Sequence, residues 1–318
     1  LGLANRVIGK GDTAELLDPV DWEAAEAALT AARKDSLNYL QAALEDRPYA
    51  PEAPLSPQSF APKLAERSRC TGCTACAAGC PHDAITMVRD KTGFDFPEVD
   101  LEKCVHCGRC TRLCPVLQER GPAAHLPAAF AAWNRDDAVR KDSTSGGAFT
   151  AIAEYVLEGG GVVFGAAFDE ALHVEHIGAF DESELSGMRG SKYVQSDAAD
   201  AIGNAVSLLK RDIPVLFSGT PCQISGLMAA LGGTKTDKLL TVDFVCHGVP
   251  SPGVFASYLV ELEKKHGSRV SAYTFRDKRL GWKNFSAVAT FENGEEHAGT
   301  QTTEPYLYGF LQNLYLRP

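Results

Sequence analysis

Eight of the ten cysteines fall in two runs of one spacing, Cys70-x2-Cys73-x2-Cys76-x3-Cys80-Pro81 and Cys104-x2-Cys107-x2-Cys110-x3-Cys114-Pro115, the second repeating the first ligand for ligand. A segment so dense in thiols is constrained less by its apolar residues than by what its sulfurs bind. Thiolates are the soft donors that iron–sulfur clusters need, and the tight x2-x2 interval lets one loop present three of them to one cluster. In this spacing the fourth cysteine of each run crosses to the other cluster. The sequence therefore predicts one 4Fe-4S cluster on Cys70, Cys73, Cys76 and Cys114, and a second on Cys104, Cys107, Cys110 and Cys80. Zinc sites take their ligands as two pairs and leave no role for the third cysteine of each run. A disulfide framework belongs to small secreted domains, which this chain does not resemble. The expected chemistry is one-electron transfer.

At 318 residues the chain is long enough for more than one domain, and a hydrophobic content of 45% supplies a sizeable core. Apolar runs are interrupted far short of a membrane span, so no spanning helix is expected. The net charge of -10 comes with no basic stripe, which argues against nucleic acid as a partner. No signal-peptide pattern is present, and oxygen-sensitive clusters without one point to the cytoplasm. The chain starts at Leu1 rather than Met, so its natural start is expected upstream.

Residues 1–62 read as a helical arm followed by a Pro-rich linker. Asp21 is a plausible N-cap, and Trp22, Ala25, Leu29, Ala32, Leu37, Leu40 and Leu44 mark an apolar stripe that either packs on its own protein or docks a partner subunit. Pro48, Pro51, Pro54, Pro57 and Pro62 punctuate the linker. Residues 63–120 read as a ferredoxin-like two-cluster domain, with Ala84–Val88 and Phe94–Val99 as the strands of a short hairpin. His106 and Arg109 lie inside the second loop, where they are either solvated or hydrogen-bonded to sulfur.

From residue 129 onward, strand and helix patterns alternate, which predicts an α/β domain and an α/β (α+β overall) fold for the chain. Strands are expected at Phe130–Trp133, Val162–Ala166, Pro214–Phe217 and, as a further buried strand, Leu240–Val245. Helices are expected at Phe149–Leu157, Ala198–Lys210, from about Cys222, and at Pro252–His266. A β-rich excursion over Val270–Ala298 turns at Asn293-Gly294. Ser143-Thr144-Ser145-Gly146-Gly147 precedes a helix, as an anion-binding loop or as a plain N-cap. Cys222 and Cys246 each follow a strand, where open α/β sheets place functional residues. They read as a nucleophile, as metal ligands, or as small buried hydrophobes.

Taken in order, Ser145-Gly146-Gly147, Gly190-Ser191-Lys192-Tyr193, Gly219-Thr220-Pro221-Cys222-Gln223 and Cys246-His247-Gly248-Val249-Pro250-Ser251-Pro252 resemble the coenzyme F420 hydrogenase/dehydrogenase beta-subunit family over residues 129–318. The resemblance implies an FAD-binding domain over 125–318, with FAD lined by Ser145, Gly146, Gly147, Gly190, Ser191, Lys192 and Tyr193, and Thr220, Pro221 and Gln223 among the further cofactor contacts. It also implies a third 4Fe-4S cluster, with Cys222 and Cys246 as its first two ligands. Family members supply a Cys-x-x-Cys pair shortly downstream, and this chain reaches Pro318 before one, so the domain is expected to continue beyond it.

Single electrons from clusters and two-electron chemistry at a flavin make a converter between the two. The expected function is an iron–sulfur flavoprotein oxidoreductase that exchanges a hydride with a substrate or soluble carrier. The alternative is a non-catalytic electron-transfer subunit of a larger complex. A ferredoxin or another subunit is the expected redox partner. Lys192 as a cation beside the flavin and His247 as a proton relay are the candidate catalytic groups, against a surface lysine and a structural turn. Some family members use coenzyme F420 itself, but fold and cofactor do not fix the substrate.

Overall fold

The computed structural model describes residues 62–118, 128–232, 234 and 236–317. The expected N-terminal arm and linker lie outside these, apart from Pro62. The cluster-binding segment is small. It consists of α1 (Ala75–Ala78), the antiparallel hairpin β1 (Ile85–Arg89) and β2 (Asp95–Val99), and α2 (Arg109–Leu113). The hairpin turns through Asp90, whose carboxylate accepts from Thr92 N at 2.8 Å, and through Gly93 at a left-handed φ of 78°.

The second half is led by α3 (Asp137–Asp142) and α4 (Ala148–Glu158) and built on a four-stranded sheet. Its strands are β3 (Val162–Phe168), β4 (Val174–Ala179), β5 (Val215–Gly219) and β6 (Leu239–Asp243), in the order β4-β3-β5-β6. β3 and β4 form a hairpin, while β5 and β6 join in parallel through α5 (Ala199–Lys210) and α6 (Pro221–Leu231). β3 and β5 are apolar without alternation because helices cover both of their faces. Val162, Phe164, Val215 and Phe217 face Ile202 and Leu209 of α5 and Leu227 of α6. Val163 and Leu216 face Val156 of α4 together with Leu185 and Met188 of a 3-10 helix, Glu182–Met188.

A separate aromatic core joins α7 (Pro252–His266), the antiparallel sheet β7 (Val270–Asp277), β8 (Ser286–Phe291) and β9 (Glu296–Thr300), and α8 (Pro305–Leu311). Phe255, Tyr273, Phe275 and Tyr306 meet there, with Phe255–Tyr306 centroids 5.1 Å apart and Tyr273–Phe275 centroids 4.7 Å apart. Glu304 caps α8 from inside this core: its carboxylate accepts from Leu307 N and, at 2.9 Å, from the Tyr273 hydroxyl. Glu304→Ala removes a cap worth about 1 kcal/mol and strands a buried hydroxyl at about 1–3 kcal/mol. A loss of about 2–4 kcal/mol is expected in denaturant unfolding, with Glu304→Gln milder.

The cluster segment packs onto both parts of the second half. Leu113 of α2 is buried in the core of α5 and α6. Gly253, at the start of α7, donates its N–H to Gly93 O at 3.1 Å, and Ser251 Oγ donates to Thr92 O at 2.8 Å. Two sequence expectations do not hold. Residues 130–133 form no strand and join no sheet. The strand expected to be buried at Leu240–Val245 is the exposed edge β6, with Leu240 42% exposed and Val245, just past the strand's end, 102% exposed. The strand order leaves β6 one neighbour. Among the described residues no helix is long and apolar enough to cross a membrane.

Candidate functional site

Both cysteine loops follow one backbone course. The second and fourth residues after the first cysteine are left-handed in each: Gly72 (φ 65°) and Thr74 (φ 63°) in the first loop, His106 (φ 57°) and Gly108 (φ 66°) in the second. Each loop places a glycine at one of these positions and a strained non-glycine at the other. Such turns wrap the chain tightly enough for successive cysteines to face inward, and α1 and α2 then carry Cys76 and Cys110 on their first turns.

The thiols gather around two cavities. Cys70, Cys73, Cys76 and Cys114 line one, while Cys80, Cys104, Cys107 and Cys110 line the other. The fourth cysteine of each run thus sits with the other loop. Among the described residues no three His, Cys, Asp or Glu side chains close on a single ion. Four thiols spread around a cavity instead suit a polynuclear group. Burial pushes the Cys73 thiol up to about 11, with repulsion from Cys222 and Cys114 adding to the rise, and pushes Cys76 up to about 12, with Cys73 and Cys70 adding. Burial likewise raises Cys110. Such thiols keep their protons until a cation replaces them, so a metal bound here would release protons and stabilise the fold. Ala84 N donates to Cys80 Sγ at 3.4 Å, the kind of contact that tunes a sulfur ligand.

Cys222 stands on the first turn of α6. One turn further on is Gly226, where an added Cβ would lie 2.7 Å from Ala75 Cβ and 3.6 Å from Cys73 Sγ. The missing side chain lets α6 lie directly against the first cysteine loop. Thr220, the N-cap of α6, fixes this end with Gln223 in a reciprocal capping box. Its hydroxyl lies 3.1 Å from Cys222 Sγ, and Pro221 sits at the first helical position. Gln223 Nε2 donates to Ser196 Oγ at 2.9 Å, and Ser196 Oγ lies 3.1 Å from His176 Nδ1. Burial pushes His176 down to about 4, so this network ends on a neutral imidazole. Cys246 lies beyond β6, is exposed, and accepts from Gly248 N at 3.4 Å. His247 is exposed beside it, with its ring edge toward Phe310 at 5.1 Å.

The two glycine motifs meet. Ser191 N donates to Thr144 Oγ1 at 2.8 Å, which brings Gly190–Tyr193 against the loop of Ser145, Gly146 and Gly147. Gly147 is the left-handed N-cap of α4 and makes no side-chain cap, so the first-turn N–H groups of that helix have no side-chain partner at the cap. Tyr193 stacks on Phe310 with centroids 4.3 Å apart. The Lys192 ammonium donates to Gly187 O at 2.6 Å and Arg189 O at 2.9 Å, and burial pushes its pKa down to about 8.

A depressed lysine makes stability rise with pH. Between about 8 and 10.5 the unfolded state holds the Lys192 proton and the folded state does not, so the cost of burying the charge is full below about 8 and relieved toward 10.5. Lys192→Met should therefore gain stability over wild type at pH 7, and the gain should shrink as pH rises from 8 to 10. Paired denaturant titrations at each pH measure it.

Sequence reasoning misses His176, Gln195, Ser196 and Arg317. Gln195 and Ser196 directly follow the Gly190–Tyr193 motif, the one local signal available; His176 and Arg317 carry none. Gln195 Nε2 donates to Gly72 O at 3.0 Å, and Arg317 Nε donates to Cys70 O at 2.6 Å. Both tie the second half to the first cysteine loop.

Known proteins share these features. Residues 69–117 match the 4Fe-4S dicluster domain. Residues 129–203 and 214–308 match the N-terminal and C-terminal parts of the family described as coenzyme F420 hydrogenase/dehydrogenase, beta subunit. One subunit of the F(420)H(2) dehydrogenase of Methanosarcina mazei is 24% identical over 199 residues, 58% of this chain and 56% of that protein. One subunit of the Na(+)-translocating ferredoxin:NAD(+) oxidoreductase complex of Acetobacterium woodii is 45% identical over 49 residues, 15% of this chain and 14% of that one. The chain thus spans little more than half of the first relative's length and far less of the second's. A chain of the F420-reducing NiFe hydrogenase complex from Methanosarcina barkeri aligns with a TM-score of 0.40 at 19% identity, covering 58% of this chain and 62% of that one. With both parts of the beta subunit matched in order behind a dicluster domain, the chain belongs to the coenzyme F420 hydrogenase/dehydrogenase beta-subunit family.

Proposed function

We propose that this chain is an iron–sulfur flavoprotein oxidoreductase subunit that relays single electrons between a protein partner and FAD, at which a substrate or soluble carrier exchanges a hydride. The observation that carries the reading is the arrangement of its thiols. The Cys80, Cys104, Cys107 and Cys110 set includes the exposed Cys107, whereas the Cys70, Cys73, Cys76 and Cys114 set has no exposed member and meets α6, the helix of Cys222, at Cys73. When bound, the clusters would supply one-electron transfer and the flavin two-electron chemistry.

The residues divide the work. The eight thiols of the two sets hold iron, and the buried Cys73 and Cys110 keep water from the inner side of each set. Gly147 and the start of α4 offer uncapped N–H groups suited to the anionic part of a dinucleotide. Thr144 and Ser191 clamp the two glycine motifs together, and Lys192 braces the Gly187–Arg189 turn beside them. Thr220, Pro221 and Gln223 orient Cys222. Cys222 and Cys246 follow neighbouring parallel strands, a placement suited to sharing one further cluster with ligands from elsewhere.

Anaerobic purification with iron and flavin determined together tests the proposal. About eight irons with FAD is the expected result for two clusters, and about twelve would add the cluster at Cys222 and Cys246. About eight irons without flavin after reconstitution would overturn the flavoprotein reading and leave an electron-transfer subunit. The exposed Cys107 and Val105 beside the second cavity offer a protein partner access to these thiols, which both readings need.

A further inference from the structure

Arg317 is half-buried, and its side chain spends every donor group on the first cysteine loop and its surroundings. Nε donates to Cys70 O at 2.6 Å, Nη2 to Asp95 O at 2.9 Å and to Cys70 Sγ at 3.6 Å, and Nη1 to Gln195 Oε1 at 2.6 Å. The guanidinium also lies 4.3 Å from the Phe96 ring centroid and 5.3 Å from that of Phe94. Its backbone is pinned by Arg317 N donating to Val249 O at 2.9 Å. Gly72 makes the approach possible, since a Cβ at that position would collide with Arg317 Nη1 and Gln195 Nε2. Among the described residues no carboxylate pairs with Arg317, whereas Arg67, which also stacks on Phe96, pairs with Asp90 at 3.1 Å. All four acceptors are neutral carbonyls, a neutral amide or a cluster-set sulfur. The charge is therefore directed at one cysteine set.

We propose that Arg317 sets the reduction potential of the cluster held by Cys70, Cys73, Cys76 and Cys114, raising it relative to the cluster of the other set. This role rests on the cluster reading above. Reduction by one electron from an external donor adds one negative charge to the site, and a fixed cation against Cys70 stabilises that more negative state. The proton inventory need not change, because the guanidinium stays charged in both states. Arg317 is a positioning and electrostatic residue: it also fastens the second half of the protein to the cysteine loop whose potential it sets.

The test is a potentiometric titration of the full chain, reconstituted with iron and sulfide and followed by electron paramagnetic resonance. Arg317→Gln removes the charge. Gln195→Glu keeps the guanidinium in place and sets a compensating carboxylate against it, while giving up the Gln195 Nε2 donation to Gly72 O. Both should lower one midpoint and leave the other unchanged, while Arg317→Lys stays nearer wild type. The expected size is about a tenfold lower ratio of reduced to oxidised cluster at the wild-type midpoint, about 59 mV for one electron, as befits a half-buried charge at moderate effective dielectric. The midpoint that moves should be the one missing from Cys114→Ser protein. Unchanged midpoints in fully loaded variants, or equal shifts of both, would overturn the role. If Arg317→Gln protein does not load, Gln195→Glu decides. A wild-type chain that takes up no iron would overturn the cluster reading and this role together.

Discussion

Cys114→Ser is expected to remove the cluster of the first cysteine run, although Cys114 belongs to the second. The cavity that Cys114 lines is shared with Cys70, Cys73 and Cys76, and the three remaining thiols of its own run line the other cavity with Cys80. Serine oxygen is a harder donor than thiolate and a poor substitute toward iron. Iron per chain should fall from about eight to about four, or to about seven if a three-iron remnant persists. The reciprocal variant Cys80→Ser should instead empty the cavity of Cys104, Cys107 and Cys110. Paramagnetic resonance of the reduced proteins distinguishes the two remaining clusters. Identical spectra from the two variants, or a loss confined to each cysteine's own run, would defeat the crossed arrangement.

Gly226→Val should be the most damaging single change outside the cysteines. Two effects oppose each other at this position. A glycine in the middle of an 11-residue helix costs about 1 kcal/mol relative to alanine, so propensity alone predicts that Gly226→Ala stabilises. Against that, the first added carbon would sit 2.7 Å from Ala75 Cβ, and overpacking of this kind costs about 1–3 kcal/mol. Steric conflict should win, so alanine is expected to be neutral to destabilising. Valine adds two methyl groups beside Cys73 Sγ and should separate α6 from the cysteine loop. The expected outcome is a stability loss of about 3 kcal/mol or more, together with loss of iron from the first cavity alone. Denaturant unfolding of the anaerobic protein measures the first and iron analysis the second. A stabilised Gly226→Ala protein would mean that α6 and the cysteine loop are not in close contact.

Much of the second half is legible because its elements are local. The helix from Pro252 carries proline at its first turn, and Asn293-Gly294 turns the β8–β9 hairpin with Gly294 at φ 84°. β4 is harder to read because His176 and Gly178 interrupt its apolar pattern. Gly178 is small where Phe164 packs, an added Cβ lying 3.2 Å from that ring, and His176 is buried by hydrogen bonds to Ser196 and the Ser218 carbonyl. The run at Leu240–Val245 misleads for the opposite reason: it is rich in apolar residues, but burial depends on strand order, which hydrophobicity alone does not specify.

The candidate site divides in the same way. Lys192 reads from the sequence as a cation, yet the structure turns its ammonium onto two carbonyls of its own turn. Thr144 and Ser191 come from separate motifs, each legible as a local pattern, but only the tertiary structure shows that the Thr144 hydroxyl joins them.

The sequence by itself determined the number and kind of sulfur ligands, the spacing that groups them, and the alternation of strands and helices behind them, because each is set by neighbours a few residues apart. Only the tertiary structure decided what surrounds those ligands. Gly226 against Ala75 and Cys73, and Arg317 on Cys70 across 247 positions, are contacts between segments with no local pattern in common. They exist because α6 and the Arg317 segment pack against one small cysteine-rich loop, and chain-distant packing of that kind leaves no periodic trace in a sequence.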